Sequence, residues 1–232
     1  MSTIVERLAR VRMRIAQAAT AAGRDPASIR LLAVSKTRPT ADVEAALAAG
    51  QTAFGESYLQ DALPKIAVLG ERAEWHFIGP IQSNKTRQIA SHFAWVHSVD
   101  RLKIAQRLNE QRPAGLPPLN VCLQVNTSGE NTKAGISPAT TLTLATAVAA
   151  LPRLRLRGLM TIPAPEQDVQ QQRQPFALLR RLLEQLNAKG FELDTLSMGM
   201  SNDLEAAILE GATLVRIGTA IFGPRAKNID SE

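Results

Sequence analysis

The 232-residue chain has a single cysteine, which excludes both a disulfide framework and a metal site built from several thiolates. Cys122 sits in the apolar run Leu119, Val121, Leu123 and is read as a buried core thiol, not a nucleophile. Long apolar runs are also missing. No stretch approaches the ~20 residues of a membrane span, and the first residues lack the uninterrupted apolar core of a secretory signal. A soluble, cytoplasmic protein with no membrane partner is expected. Aromatic residues are only 4% of the chain. With no nucleic-acid motif and arginines spread along the sequence, the net charge of +6 is read as a solvated basic surface that binds no nucleic acid. Neither G-x-G-x-x-G after the first strand, nor a Walker loop, H-E-x-x-H or EF-hand loop is present.

What is present is ordinary core material, 45% hydrophobic and 21% charged, in an alternating order of strands and helices. Strand-like runs fall at residues 31–35, 52–54, 75–78, 94–97, 119–125, 156–161, 195–197 and 214–217. Helical stretches follow at 42–49, 58–69, 84–91, 101–111, 138–150, 170–189 and 203–209, and none is clear after the last strand. Residues 4–15 add an Arg-rich amphipathic helix in front, with Ile4, Leu8, Val11 and Ile15 on one face. An organelle transit peptide is the alternative for that segment. Eight βα units predict a single α/β domain over residues 1–232, a (β/α)8 TIM-type barrel, with an open doubly wound sheet as the alternative.

In a parallel barrel the loops after the strands surround the functional mouth, and this decides which polar residues matter. Lys36 follows the first strand, where partial desolvation frees an amine to attack an aldehyde. Taken alone, a plain loop lysine is the simpler reading. The segment Ser197-Met198-Gly199-Met200-Ser201-Asn202-Asp203 supplies hydroxyls and backbone N–H groups before a helix, a setting that suits phosphate. Val215-Arg216-Ile217-Gly218-Thr219 ends the eighth strand with a glycine where backbone approaches a ligand closely. A lysine facing a phosphate cradle describes a phosphorylated aldehyde.

Seven segments in order carry a resemblance: Ala33-Val34-Ser35-Lys36-Thr37, Phe54-Gly55-Glu56, Trp75-His76-Phe77-Ile78-Gly79, Gln82-Ser83-Asn84-Lys85, Gly158-Leu159-Met160-Thr161-Ile162, Ser197-Met198-Gly199-Met200-Ser201 and Val215-Arg216-Ile217-Gly218-Thr219. Together they resemble the pyridoxal phosphate homeostasis protein family, which is similar to the barrel of fold-type III enzymes such as alanine racemase. The resemblance implies pyridoxal 5'-phosphate (PLP) as cofactor, held as a Schiff base on Lys36. It further implies Ser201, Gly218 and Thr219 at the phosphate and Arg216 facing the pyridine nitrogen, with Met200 beside them. Where the family usually reads Gly-Glu-Asn-Tyr, this chain has Gly55-Glu56-Ser57-Tyr58, so Ser57 is a candidate contact to the ring through its hydroxyl.

A guanidinium at the ring nitrogen keeps its proton and leaves the ring a weak electron sink, which disfavours carbanion chemistry. The expectation is therefore a carrier that buffers or delivers PLP to PLP-dependent apo-enzymes and is not an enzyme. Lys133 is a candidate second amine in that transfer. An amino-acid racemase is the alternative function, and it requires an acid or base on each face of the substrate carbon. Alanine racemases draw one of these from a tyrosine at an interface with a second domain, whereas Tyr58 is the only tyrosine here. A Schiff-base aldolase fits a barrel but not these motifs. A monomer is expected, with a weak dimer as the alternative. His76 is read as a hydrogen-bonded scaffold histidine, Trp75 and Phe77 as core aromatics, and Asn84 and Lys85 as a helix start.

Overall fold

The computed structural model describes residues 2–130 and 134–224. Thr3 opens the first helix, α1 (Ile4–Ala21), with a reciprocal cap: its side chain accepts from the Glu6 N–H, while Glu6 accepts from the Thr3 N–H. Spacings of three and four along α1 bury Leu8, Val11, Ile15 and Ala18 on one face. The helix runs six residues past the stretch that the Arg-rich pattern marked. It packs against the first helix and the last two helices of the barrel, spanning the seam where the barrel closes.

Then strand and helix alternate. The order is β1 (Arg30–Val34), α2 (Thr40–Ala48), β2 (Ala53–Glu56), α3 (Leu59–Leu69), β3 (Glu74–Phe77), α4 (Thr86–His92), β4 (Trp95–Val99) and α5 (Leu102–Gln111). It continues with β5 (Leu119–Gln124), α6 (Thr141–Ala149), β6 (Leu154–Met160), α7 (Val169–Asn187), β7 (Thr195–Ser197), α8 (Leu204–Leu209), β8 (Leu214–Ile217) and α9 (Thr219–Phe222). Each strand pairs in parallel with the next, and β8 pairs with β1, so the sheet closes into an eight-stranded barrel. Closure rules out the open-sheet alternative and leaves no edge strand.

Period-two alternation sorts each strand into two faces. Ala33, Phe54, Trp75, Phe77, Val96, Val121, Leu159, Leu196 and Val215 join the large core between sheet and helices. The opposite positions fill the barrel interior with two small apolar groups, Leu32 with Ala53 and Leu214, and Trp95 with Cys122 and Met160. Burial pushes the Cys122 thiol up to about 12, against the pull of Arg216 and Arg157, so it is no nucleophile at neutral pH.

Several boundaries differ from those read in the sequence. β1 stops at Val34, placing Lys36 in the mouth loop and not directly after the strand. β2 extends to Glu56 because Gly55 and Glu56 still pair with His76 and Phe77. Ser83–Lys85 forms a 3₁₀ turn leading into α4. The last strand does have a helix behind it, the four-residue α9, which ends at Gly223 with φ of 83°. Among the described residues, no helix is long and apolar enough to cross a membrane.

Candidate functional site

The loop that carries Lys36 is gripped on both sides. Ahead of it, Ser35 is buried, donating its hydroxyl to Glu56 Oε1 at 2.7 Å. Lys65, reaching up from α3, donates to the Ser35 carbonyl at 2.8 Å and to Glu56 Oε1 at 2.7 Å. Behind it, the Arg38 N–H donates to the Ser35 carbonyl at 3.1 Å, and its guanidinium donates to the carbonyls of Gly223 and Pro224. Between these anchors, Thr37 adopts a φ of 63°, the only non-glycine in the left-handed region among the described residues. For a β-branched residue that conformation is strained, and such strain persists only where its surroundings enforce it.

β1 and β8 are neighbours, so their loops meet. Val34, Lys36, Arg38, Gly218 and Thr219 line one cleft of about 30 Å³. A Cβ added at Gly218 would lie 3.2 Å from the Val34 carbonyl oxygen, so glycine is what lets the two backbones come this close. Arg216 is buried, its two terminal nitrogens donating to Ser197 Oγ at 2.7 Å and to the Thr161 carbonyl at 2.8 Å. Burial lowers its guanidinium to about 10, which still leaves it a cation at neutral pH.

The β7 loop is less open than its sequence suggests. Asp203 Oδ1 accepts from the Met200 N–H at 2.5 Å, so that N–H is not available to a phosphate as the sequence reading expected. Met200 itself is at the edge of exposure, and the Ser201 carbonyl accepts from Arg14, which α1 holds against Glu205. Ser57 is buried after β2, with Gly79 packed on it so tightly that a Cβ at Gly79 would lie 2.2 Å from the Ser57 carbonyl oxygen. Lys133 lies outside the described residues. Lys36, Gly218 and Thr219 are thus brought together, while Ser57, Met200 and Ser201 stand on separate loops of the same rim.

Comparison with known proteins places this geometry. Residues 7–226 match the family described as "Alanine racemase, N-terminal domain". The pyridoxal phosphate homeostasis protein of Pseudomonas aeruginosa is 66% identical over 97% of both chains. The chain belongs to the pyridoxal phosphate homeostasis protein family. Among solved structures, PipY of Synechococcus elongatus with PLP bound superimposes with a TM-score of 0.83 at 36% identity, covering 95% of this chain and all of that one. Alanine racemase from Corynebacterium glutamicum shares the fold alone, with a TM-score of 0.70 at 17% identity over 95% of this chain and 62% of the enzyme.

Beneath the mouth of this homeostasis-family barrel lies a polar column that sequence reasoning missed. Glu74 Oε1 is 2.5 Å from His76 Nε2, His76 Nδ1 is 2.9 Å from His97 Nε2, and His97 Nδ1 is 2.7 Å from Ser197 Oγ. His76 is thus a scaffold histidine, stacked on Trp95 with ring centroids 5.4 Å apart. The signal was available as polar residues at inward positions of strands whose alternate residues are apolar. The Lys65–Glu56 pair was less legible, because Lys65 resembles an ordinary helix-surface lysine.

Burial pushes His97 well below the ordinary imidazole range, with His76, Arg216 and Arg30 adding to the effect. It also lowers His76, although the Glu74 carboxylate pulls the other way. An unfolded chain takes up protons on both rings near pH 6.5, whereas the folded chain resists them. Stability from this source is therefore complete above that pH and falls as pH drops below it. Burial raises Glu56, which acts with the opposite sign, but it is one group against two. Denaturant midpoints at about pH 7.5 and about pH 5.5 should show the loss on acidification, and a higher midpoint in acid would contradict it.

Proposed function

We propose that this protein binds PLP through Lys36 and acts as a reversible carrier of the cofactor, buffering it or delivering it to PLP-dependent apo-enzymes. The observation that carries the reading is the shared cleft of Lys36, Gly218 and Thr219. The donor set fits a phosphorylated aldehyde. A primary amine shares a cleft with the backbone of Gly218 and the hydroxyl of Thr219, and Arg216, two residues before Gly218, is a buried cation. PipY, 36% identical, has been solved with PLP bound, and the 66%-identical relative is named for PLP homeostasis.

In this reading Ser201, Gly218 and Thr219 hold the phosphate, Arg216 faces the pyridine nitrogen, and Ser57 and Met200 border the ring. PLP supplies an aldehyde that condenses reversibly with an amine, releasing water. The protein's part is to keep the amine, the phosphate donors and Arg216 in fixed relation, so that the aldehyde is held without an acid–base pair on opposite faces of a substrate carbon. Lys133 is proposed as the amine that receives the aldehyde in transit. We further propose a single domain over residues 1–232, cytoplasmic and monomeric, with neither a nucleic-acid nor a membrane partner.

The purified, PLP-loaded protein should reactivate several apo-enzymes while exchanging no α-hydrogen of any amino acid for solvent deuterium. Sustained deuterium incorporation, abolished by Lys36→Ala, would replace the carrier reading with the racemase alternative. Replacing Lys133 by alanine should slow transfer severalfold without changing the amount of PLP bound, and unaltered transfer kinetics would remove Lys133 from the route.

A further inference from the structure

The column inside the barrel has a direction. At its lower end, Glu74 is an ionised carboxylate that can only accept, and it is also bound by Arg30 at 2.8 Å. Burial pushes Glu74 up, but its bonds to His76 and Arg30 outweigh that and hold it below the usual carboxylate value. At the upper end, Arg216 can only donate, and it does so to Ser197 Oγ at 2.7 Å. His76, His97 and Ser197 between them are fully buried and bonded to one another along the column.

Two fixed ends leave one arrangement for neutral imidazoles. At 2.5 Å from the carboxylate, His76 Nε2 must carry the proton, because an unprotonated nitrogen there would set two acceptors face to face. His76 Nδ1 then accepts from His97 Nε2–H across 2.9 Å. His97 Nδ1 is left as an acceptor and takes the Ser197 hydroxyl proton across 2.7 Å. With that proton committed, Ser197 Oγ presents only lone pairs to Arg216. The charged groups acting on this column are Arg30 and Glu74 at the floor, Arg216 above, and Asp203 near Arg216. Burial, seconded by Arg216 and Arg30, disfavours an added proton on His97, and on His76 burial outweighs the pull of Glu74, so the chain stays neutral and keeps its direction.

The second anchor of Arg216 comes from a different nitrogen, donating to the Thr161 carbonyl at 2.8 Å. Two bonds from two nitrogens fix both the position and the plane of a rigid guanidinium. We propose that Glu74, His76, His97 and Ser197 form a positioning relay that locks Arg216 in one plane, so that its remaining N–H donors meet the cofactor's pyridine nitrogen in a single geometry. This rests on the reading that Arg216 faces that nitrogen. The four residues touch neither the aldehyde nor the phosphate in that reading. Their effect is on the ring's electronic state and on how long the cofactor stays.

Two measurements test it. The first uses the protein freed of cofactor, with nitrogen-15 in its histidine rings: His76 and His97 should both show the neutral Nε2–H form, unchanged from about pH 6 to about pH 8. An Nδ1–H form on either ring, or a protonation midpoint inside that range, overturns the relay. The second compares the PLP-loaded protein with Ser197→Ala, which cuts the relay from Arg216. The visible absorbance maximum should shift and cofactor release should quicken by roughly threefold to tenfold. Glu74→Leu, at the half-exposed barrel floor, should shift the absorbance in the same sense if Ser197→Ala fails to fold, and Glu74→Gln, which still accepts from His76, should restore it. Folded variants with the unaltered spectrum and release rate overturn the proposal. Were PLP never to attach to Lys36 in the unaltered protein, the cofactor reading would fall, while the ring tautomers, read without cofactor, would still decide the relay on their own.

Discussion

Replacing Lys36 by alanine is expected to abolish the visible absorbance of the PLP-loaded protein and to weaken cofactor retention by about a hundredfold or more, the equivalent of ~2.7 kcal/mol. Without the amine only the phosphate and ring contacts remain, and these dissociate freely. Lys36→Arg should fare no better, because a guanidinium stays protonated and does not attack a carbonyl. The fold should tolerate both changes. Lys36 is half-buried in the mouth loop, while the backbone around it is held by Lys65 through Ser35 and by Arg38 through Gly223 and Pro224. Equilibrium dialysis against free PLP reads the effect. Retention equal to that of the parent would move the covalent attachment elsewhere.

Lys65→Ala should be the most damaging single change to stability around the site. It would leave Glu56, fully buried and with Oε2 already without a hydrogen-bond partner among the described residues, facing no cation. Removing one partner of a buried ion pair costs about 3–5 kcal/mol, far more than replacing both partners by neutral residues of similar size. The double change Lys65→Met with Glu56→Gln should therefore recover most of the loss. The sign with pH is also fixed. A carboxyl whose folded pKa is raised stabilises below that pKa and loses the contribution as pH rises through it, so the deficit of Lys65→Ala relative to the parent should shrink in acid. Urea unfolding at two pH values measures both effects. A double variant no more stable than the single one would show that the pair is not what supports the loop.

The barrel was legible because its signal is repetitive. Eight apolar runs separated by amphipathic stretches admit few topologies, and the ends of β1 and β8 must be neighbours once the sheet closes. That is why Lys36 and Gly218–Thr219, far apart in sequence, line one cleft. Smaller features were hidden by local context. α9 is only one turn long, and a four-residue helix leaves no periodic pattern to detect. The sequence around Met200 suggests free backbone donors, but Asp203 folds back to take the Met200 N–H, a side-chain turn that composition alone does not distinguish from a helix cap. The inward polar positions are visible in the sequence, but their connection into a column is not. Glu74, His76, His97, Ser197 and Arg216 belong to four strands, and they become a chain only when those strands are rolled around a common interior.

The central claim is that one lysine holds the cofactor. Loading the protein with PLP, reducing with borohydride and mapping the peptides by mass should give a single pyridoxyl adduct, on Lys36, at close to one per chain. An adduct confined to another lysine, such as Lys65 or Lys85, or a protein that gains no adduct at all, would contradict the account.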